Sequence, residues 1–157
     1  MPNLLQTIDT LYEIIGFSAM ILTATLALTL GRAPHRLCGL LVVLETLLFA
    51  VFISFLDQDQ RYLLSKLRAL LMFAAYAALI LRWPDRWLIL LAGLQGFATL
   101  IHMAAWIDPT IWIGANGLVL NAIGWSMLAV LAAASIGAAF ARRDAALQAT
   151  PPPRRQE

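Results

Sequence analysis

The chain has 157 residues, of which 61% are hydrophobic and 13% charged, with a mean hydropathy of +0.79 and a formal net charge of +2. A soluble domain runs at roughly 45–50% apolar and roughly 25% charged, and a core of this size cannot hide so much apolar side chain. The composition therefore argues against a soluble monomer, a disordered chain and a nucleic-acid partner, and the single cysteine, Cys38, excludes an intrachain disulfide.

A membrane-spanning helix needs about 20 mostly apolar residues, because the hydrocarbon is about 30 Å thick and a helix rises about 1.5 Å per residue. Residues 11–30 supply the first span. No basic region precedes it, and Asp9 and Glu13 stand where one would be, so it is expected to be a retained helix and not a signal peptide. A turn with Pro34 leads to a second span at 37–56. Residues 62–83 are a weaker case, since their unbroken apolar run covers only 69–81 and Lys66 and Arg68 precede it. A turn with Pro84 follows, then spans at 87–107 and 117–141.

Charge decides the doubtful segment. Cytoplasmic loops carry excess Lys and Arg. With five spans and the N-terminus outside, Arg32, Arg36, Arg82, Arg86, Arg142, Arg143, Arg154 and Arg155 all lie inside, and only Arg61 lies in an outer loop. Four spans would put Arg61, Lys66, Arg68, Arg82 and Arg86 together outside, against the rule. The expected fold is thus an all-α membrane bundle of five transmembrane helices over residues 1–141, with a flexible cytosolic tail at 142–157. Lys66 and Arg68 are expected to snorkel outward on their long stems, with an Arg68–Glu45 ion pair as the alternative. Arginine outnumbers lysine ten to one, a coding bias of GC-rich bacterial genomes, so the expected location is a bacterial inner membrane.

Ionisable and polar groups inside a bilayer are costly, which makes them the first places to look for function. Glu45 lies about 12 Å deep, counted from the start of the second span. Gln95, Thr99 and His102 follow at i, i+4 and i+7 and so share one face of the fourth helix. Gln95 is level with Glu45, and a Glu45–Gln95 hydrogen bond is expected. Tyr76 shares the Arg68 face of the third helix. On the fifth helix Gly117, Asn121 and Gly124 form a small-residue seam that should be buried against protein, of this chain or another copy. Each of these also has a plain structural reading: a protonated or hydrogen-bonded helix glue for Glu45, a satisfied bundle histidine for His102, packing for the glycines.

No metal site is expected, since His35 and His102 are the only histidines and no His/Cys cluster has ligand spacing. No phosphate loop, nucleophile elbow or zinc-protease motif is present, so no cofactor and no enzymatic activity are expected. The expected partners are the lipid bilayer and either further copies of the chain or a larger membrane complex. The first functional reading is an accessory or interaction subunit of such a complex. The alternatives are a small oligomeric proton, ion or solute transporter using Glu45 and the Gln95–Thr99–His102 stripe, and a holin-like or effector-type permeabiliser.

Overall fold

The structure, a computed structural model, describes residues 4–53, 55–107 and 115–149, with residues 4–12, 49, 50, 53, 115 and 116 described by backbone alone. All regular structure among them is helical: α1 (Leu4–Leu30), α2 (Ala33–Ile53), α3 (Gln58–Arg82), α4 (Arg86–Ile107) and α5 (Ala115–Gln148). Four or five of these helices are long and apolar enough to cross a membrane. Helices are what such a sequence must form, because hydrocarbon offers no partners for backbone N–H and C=O groups. The outward faces are apolar accordingly, as at Leu71, Leu81, Leu100 and Leu118, which are all more than half exposed. Serine and threonine hydroxyls turn back onto their own helices: Thr25, Thr29, Thr46, Ser126 and Ser135 each donate to the carbonyl four residues earlier.

The segment that was doubtful by hydropathy is a full 25-residue helix. It starts before residue 62 because Asp57 and Gln60 form a capping box: Gln60 N donates to Asp57 Oδ1 (2.9 Å) and Asp57 N donates to Gln60 Oε1 (3.2 Å). Its other end is closed by Trp83 N, which donates to the Leu79 carbonyl (2.8 Å), and Pro84 then separates α3 from α4. α5 runs past residue 141 to Gln148, so the segment expected as a flexible tail begins as exposed helix. The rest of that tail, and the loop around Trp112, lie outside the described residues.

The helices pack in the order α2, α1, α5, α4, α3, and a lighter contact between α2 and α3 closes the ring. Small residues bring α1 and α2 close. Ala24 and Ala27 of α1 are buried against Gly39, where a Cβ would sit 3.0 Å from Ala27 Cβ and 3.4 Å from the Ala24 carbonyl oxygen. At the turn between them a Cβ on Gly31 would overlap the Ala27 carbonyl and His35 Cβ. The dry core lies toward the end that carries Arg32, Arg36, Arg82, Arg86 and Arg142, and is built from Ala27, Cys38, Leu88, Leu91, Ala92 and Leu131 with Met72 and Tyr76. Above it, His35 stacks on Trp87 (ring centroids 4.4 Å apart), and burial holds the imidazole below its ordinary pKa despite the Ala134 carbonyl and Asp85. Arg142 donates to the Leu30 carbonyl, tying α5 to the end of α1.

The seam expected on α5 is not used within the chain. Gly117, Asn121 and Gly124 are exposed, and a Cβ at either glycine would meet nothing within 4 Å. Leu131 and Ser135, which continue the line of Gly117 and Gly124 toward the arginine-rich end, are buried, so this face is covered there and left uncovered beside the cavity that Asn121 and Gly124 line. Gly39→Val should therefore lower the stability of the monomer by about 1–3 kcal/mol through overpacking, while Gly124→Leu should leave it unchanged. Thermal unfolding in detergent checks both, and a Gly39→Val protein as stable as wild type would mean that α1 and α2 are not held at this distance.

Candidate functional site

Below the light α2–α3 contact the five helices line a partly open cavity of about 390 Å³, within the range of small-molecule sites. α2 contributes Glu45 and Thr46, α3 contributes Arg68 and Tyr76, α4 contributes Gln95 and His102, and α5 contributes Asn121 and Gly124. Most of the polar residues singled out in the sequence thus meet in one place, although they come from separate helices. Thr99 stands one turn from Gln95 and buttresses the wall: its hydroxyl lies 3.0 Å from the Ala69 carbonyl and 2.8 Å from the Gln95 carbonyl. The dry core closes the cavity at the arginine-rich end.

Glu45 and Arg68 form an ion pair with Arg68 Nε 3.1 Å from Glu45 Oε1. This is the arrangement that depth alone made the less favoured one. Glu45 stands about 12 Å above the start of its span and Arg68 stands high on α3, so their backbones differ by about 9 Å along the membrane normal. The arginine stem covers that distance by reaching inward, and the gain is a partner for both charges in surroundings where neither is solvated. Gln95 is correspondingly not the partner of Glu45. Its Nε2 donates to the Ala69 carbonyl across the α3–α4 contact (3.2 Å). Thr99 donates to that same carbonyl, so the polar stripe of α4 is also a clamp on α3.

Lys66 does not reach water either. It is 2% exposed, with Nζ 3.3 Å from the centre of the Tyr62 ring and 4.9 Å from that of Trp106. Two ring faces replace solvent as the ammonium's partner, an attraction of about 2 kcal/mol when desolvated. The Tyr62 hydroxyl donates to the Ala105 carbonyl (2.7 Å), which fixes the ring and joins α3 to α4. Tyr62 is one helical turn before Lys66, so half of this arrangement was legible in the sequence; Trp106 was not. His102 is buried on the cavity wall. The Tyr76 hydroxyl is buried on the same wall with no protein hydrogen-bond partner among the described residues.

The sequence reading missed Thr46, whose hydroxyl faces Met20 Sδ (2.9 Å) while donating to the Val42 carbonyl, and it assigned Asn121 to packing when its place is the cavity. Among the described residues no group of three or more His, Cys, Asp or Glu could hold a metal ion. In comparisons with protein-family models, curated proteins and solved structures, nothing matches the chain.

The ion pair can be tested as a coupled unit. Glu45→Ala and Arg68→Leu should each destabilise the protein, since each leaves an uncompensated charge, while the double variant should lose less than the sum. The side chains are 24% and 34% exposed, so the coupling should lie within about 0.5–3 kcal/mol and below the full cost of breaking a fully buried pair. Denaturant or thermal unfolding of the four proteins measures it, and strictly additive losses would show that the two charges do not support one another.

Proposed function

We propose that this is a small transport-type integral membrane protein of a bacterial inner membrane, whose polar cavity is the solute and proton site. The observation that carries the reading is the convergence of seven polar side chains (Glu45, Thr46, Arg68, Tyr76, Gln95, His102 and Asn121) on one cavity inside an otherwise apolar bundle. Gln95 also clamps α3 and the Glu45–Arg68 pair also bridges α2 and α3, but Tyr76 keeps a buried hydroxyl with no protein partner among the described residues, although each polar group placed in hydrocarbon is costly. The proposed topology has five spans, the N-terminus outside and the C-terminus in the cytosol. Arg32, Arg36, Arg82, Arg86, Arg142 and Arg143 at one end of the bundle support it. In this reading the dry core around Leu88 and Leu91 is the closed gate toward the cytosol. Glu45 is the group that exchanges protons when its pairing with Arg68 is broken, and His102 stands above it toward the outer end.

A second reading, an interaction subunit or homo-oligomer, is favoured by the exposed α5 face. Gly117, Asn121 and Gly124 are exposed and allow close backbone approach, and a Cβ at either glycine would meet nothing within 4 Å. The two readings are compatible, since a copy or partner on that face would cover the α5 side of the cavity.

Cysteine labelling in intact cells tests the topology: a cysteine at Thr110 should react with an impermeant reagent, and one at Gln148 only after the membrane is opened. Reaction at Gln148 in intact cells would reverse the proposed orientation. For the transport reading, proteoliposomes loaded with a pH-sensitive dye are given a pH step. Wild-type protein should speed its decay over empty liposomes, and Glu45→Gln should slow that decay at least about tenfold while remaining folded, its thermal midpoint lowered by no more than that of Glu45→Ala. Equal rates for wild type and empty liposomes would remove the proton from the mechanism.

A further inference from the structure

A second hollow adjoins the cavity. It is an apolar groove of about 340 Å³ in the light α2–α3 contact, formed by Leu41, Leu44 and Leu48 on one side and Leu64, Leu67 and Leu71 on the other. Leu44, Leu48, Leu67 and Leu71 are all about half exposed or more, so the groove faces the surrounding hydrocarbon. The groove and the polar cavity share three residues, Glu45, Arg68 and Met72. The ion pair therefore stands at the boundary between an apolar trough open to lipid and a polar chamber inside the bundle.

We propose that the solute of this site is a neutral, single-tailed amphiphile: the tail lies in the α2–α3 groove and a head bearing acceptor oxygens enters the chamber beside Tyr76. The inference rests on the reading of the cavity as a solute site and names the class of solute. Three observations carry it. The first is the continuity of a leucine-lined trough with a polar chamber, the Glu45–Arg68 pair standing where they meet, which fits a molecule having both characters. The second is charge. Glu45 and Arg68 already neutralise each other at 3.1 Å, so an ionic head would have to break that pair to find a counter-charge. The third is the Tyr76 hydroxyl, a fully buried donor on the chamber wall without a protein partner among the described residues. A buried donor left unmade costs free energy that a carbonyl-type oxygen would recover. Entry from the bilayer through the weakest helix contact would also spare an apolar tail any passage through water.

The test uses N,N-dimethyldodecanamide, whose head has a carbonyl acceptor, no donor and no charge. It is titrated into the detergent-solubilised full chain, and bound copies are counted by native mass spectrometry. Dodecyl phosphate, dodecyltrimethylammonium and dodecane serve as anionic, cationic and headless counterparts. One copy of the amide should bind saturably, and each counterpart at least about tenfold more weakly. Tyr76→Phe should weaken amide binding about threefold to tenfold, as expected for one hydrogen bond. Leu67→Trp, at the exposed edge of the groove, should weaken the amide at least about fivefold. Equal or tighter binding of an ionic counterpart, equal binding of dodecane, or an unchanged affinity in Tyr76→Phe would each overturn the proposal. Should Tyr76→Phe fail to fold, the comparison of heads and the Leu67→Trp result decide alone: a selective amide that Leu67→Trp weakens upholds the proposal, and any other result overturns it. Binding is read here without flux. A chain that carries protons but does not bind the amide overturns this inference only, and one that binds it without carrying protons overturns the proton role of the site.

Discussion

A carboxylate and a guanidinium cannot stay apart in hydrocarbon. The cost of each unpaired charge is several kcal/mol, and the Glu45–Arg68 pair meets that constraint at the one place in the ring where helix packing is light. Elsewhere the helices are held by close small-residue contacts or by a filled core. Between α2 and α3 leucines diverge into a groove, and the ion pair is what bridges the two helices. The same pair fixes the character of the cavity beneath it, because it brings the Arg68 head inward to the level of Gln95 and Tyr76.

The bundle is divided along its length by this arrangement. Toward the arginine-rich end, Ala27, Cys38, Leu88, Leu91 and Leu131 pack together as a buried apolar core. Toward the other end the side chains facing inward are longer and polar, and they satisfy one another only in part. Gln95 and Thr99 spend their hydrogen bonds on the Ala69 carbonyl of α3. They stiffen the α3–α4 pair, and the chamber is left to Glu45, Arg68, Tyr76, His102 and Asn121. Lys66 belongs to neither half. Its charge is held by the Tyr62 and Trp106 rings near the end of the α3–α4 pair.

The two exposed features of the ring have different physical origins. The α2–α3 groove is exposed because the large leucines at that contact cannot approach as glycine and alanine do at α1–α2. The α5 face is exposed because Gly117 and Gly124 have no side chain to offer a neighbour of their own chain, while Leu131, further along the same line, does. One opening therefore favours a flexible apolar chain and the other a second helix surface.

Composition and spacing alone determined that this chain is a helical membrane protein, because a bilayer admits few other solutions for so apolar a sequence. They also ranked the polar residues by expected depth, since depth follows from rise per residue. Even the stretch that hydropathy left short, 69–81, was recovered by the distribution of arginines, and Asp57 and Gln60 carried a readable start signal for it. Partnership was not legible. Depth placed Gln95 beside Glu45, and stem length sent Lys66 and Arg68 outward, but neither quantity contains the rotation of one helix against the next. That rotation puts Ala69 in front of Gln95 and Thr99, Trp106 over Lys66, and Arg68 against Glu45. It also leaves Gly117 and Gly124 uncovered by any other helix of the chain. Side-chain direction around each helix axis is set by packing against neighbours distant in sequence, so only the tertiary structure could decide it.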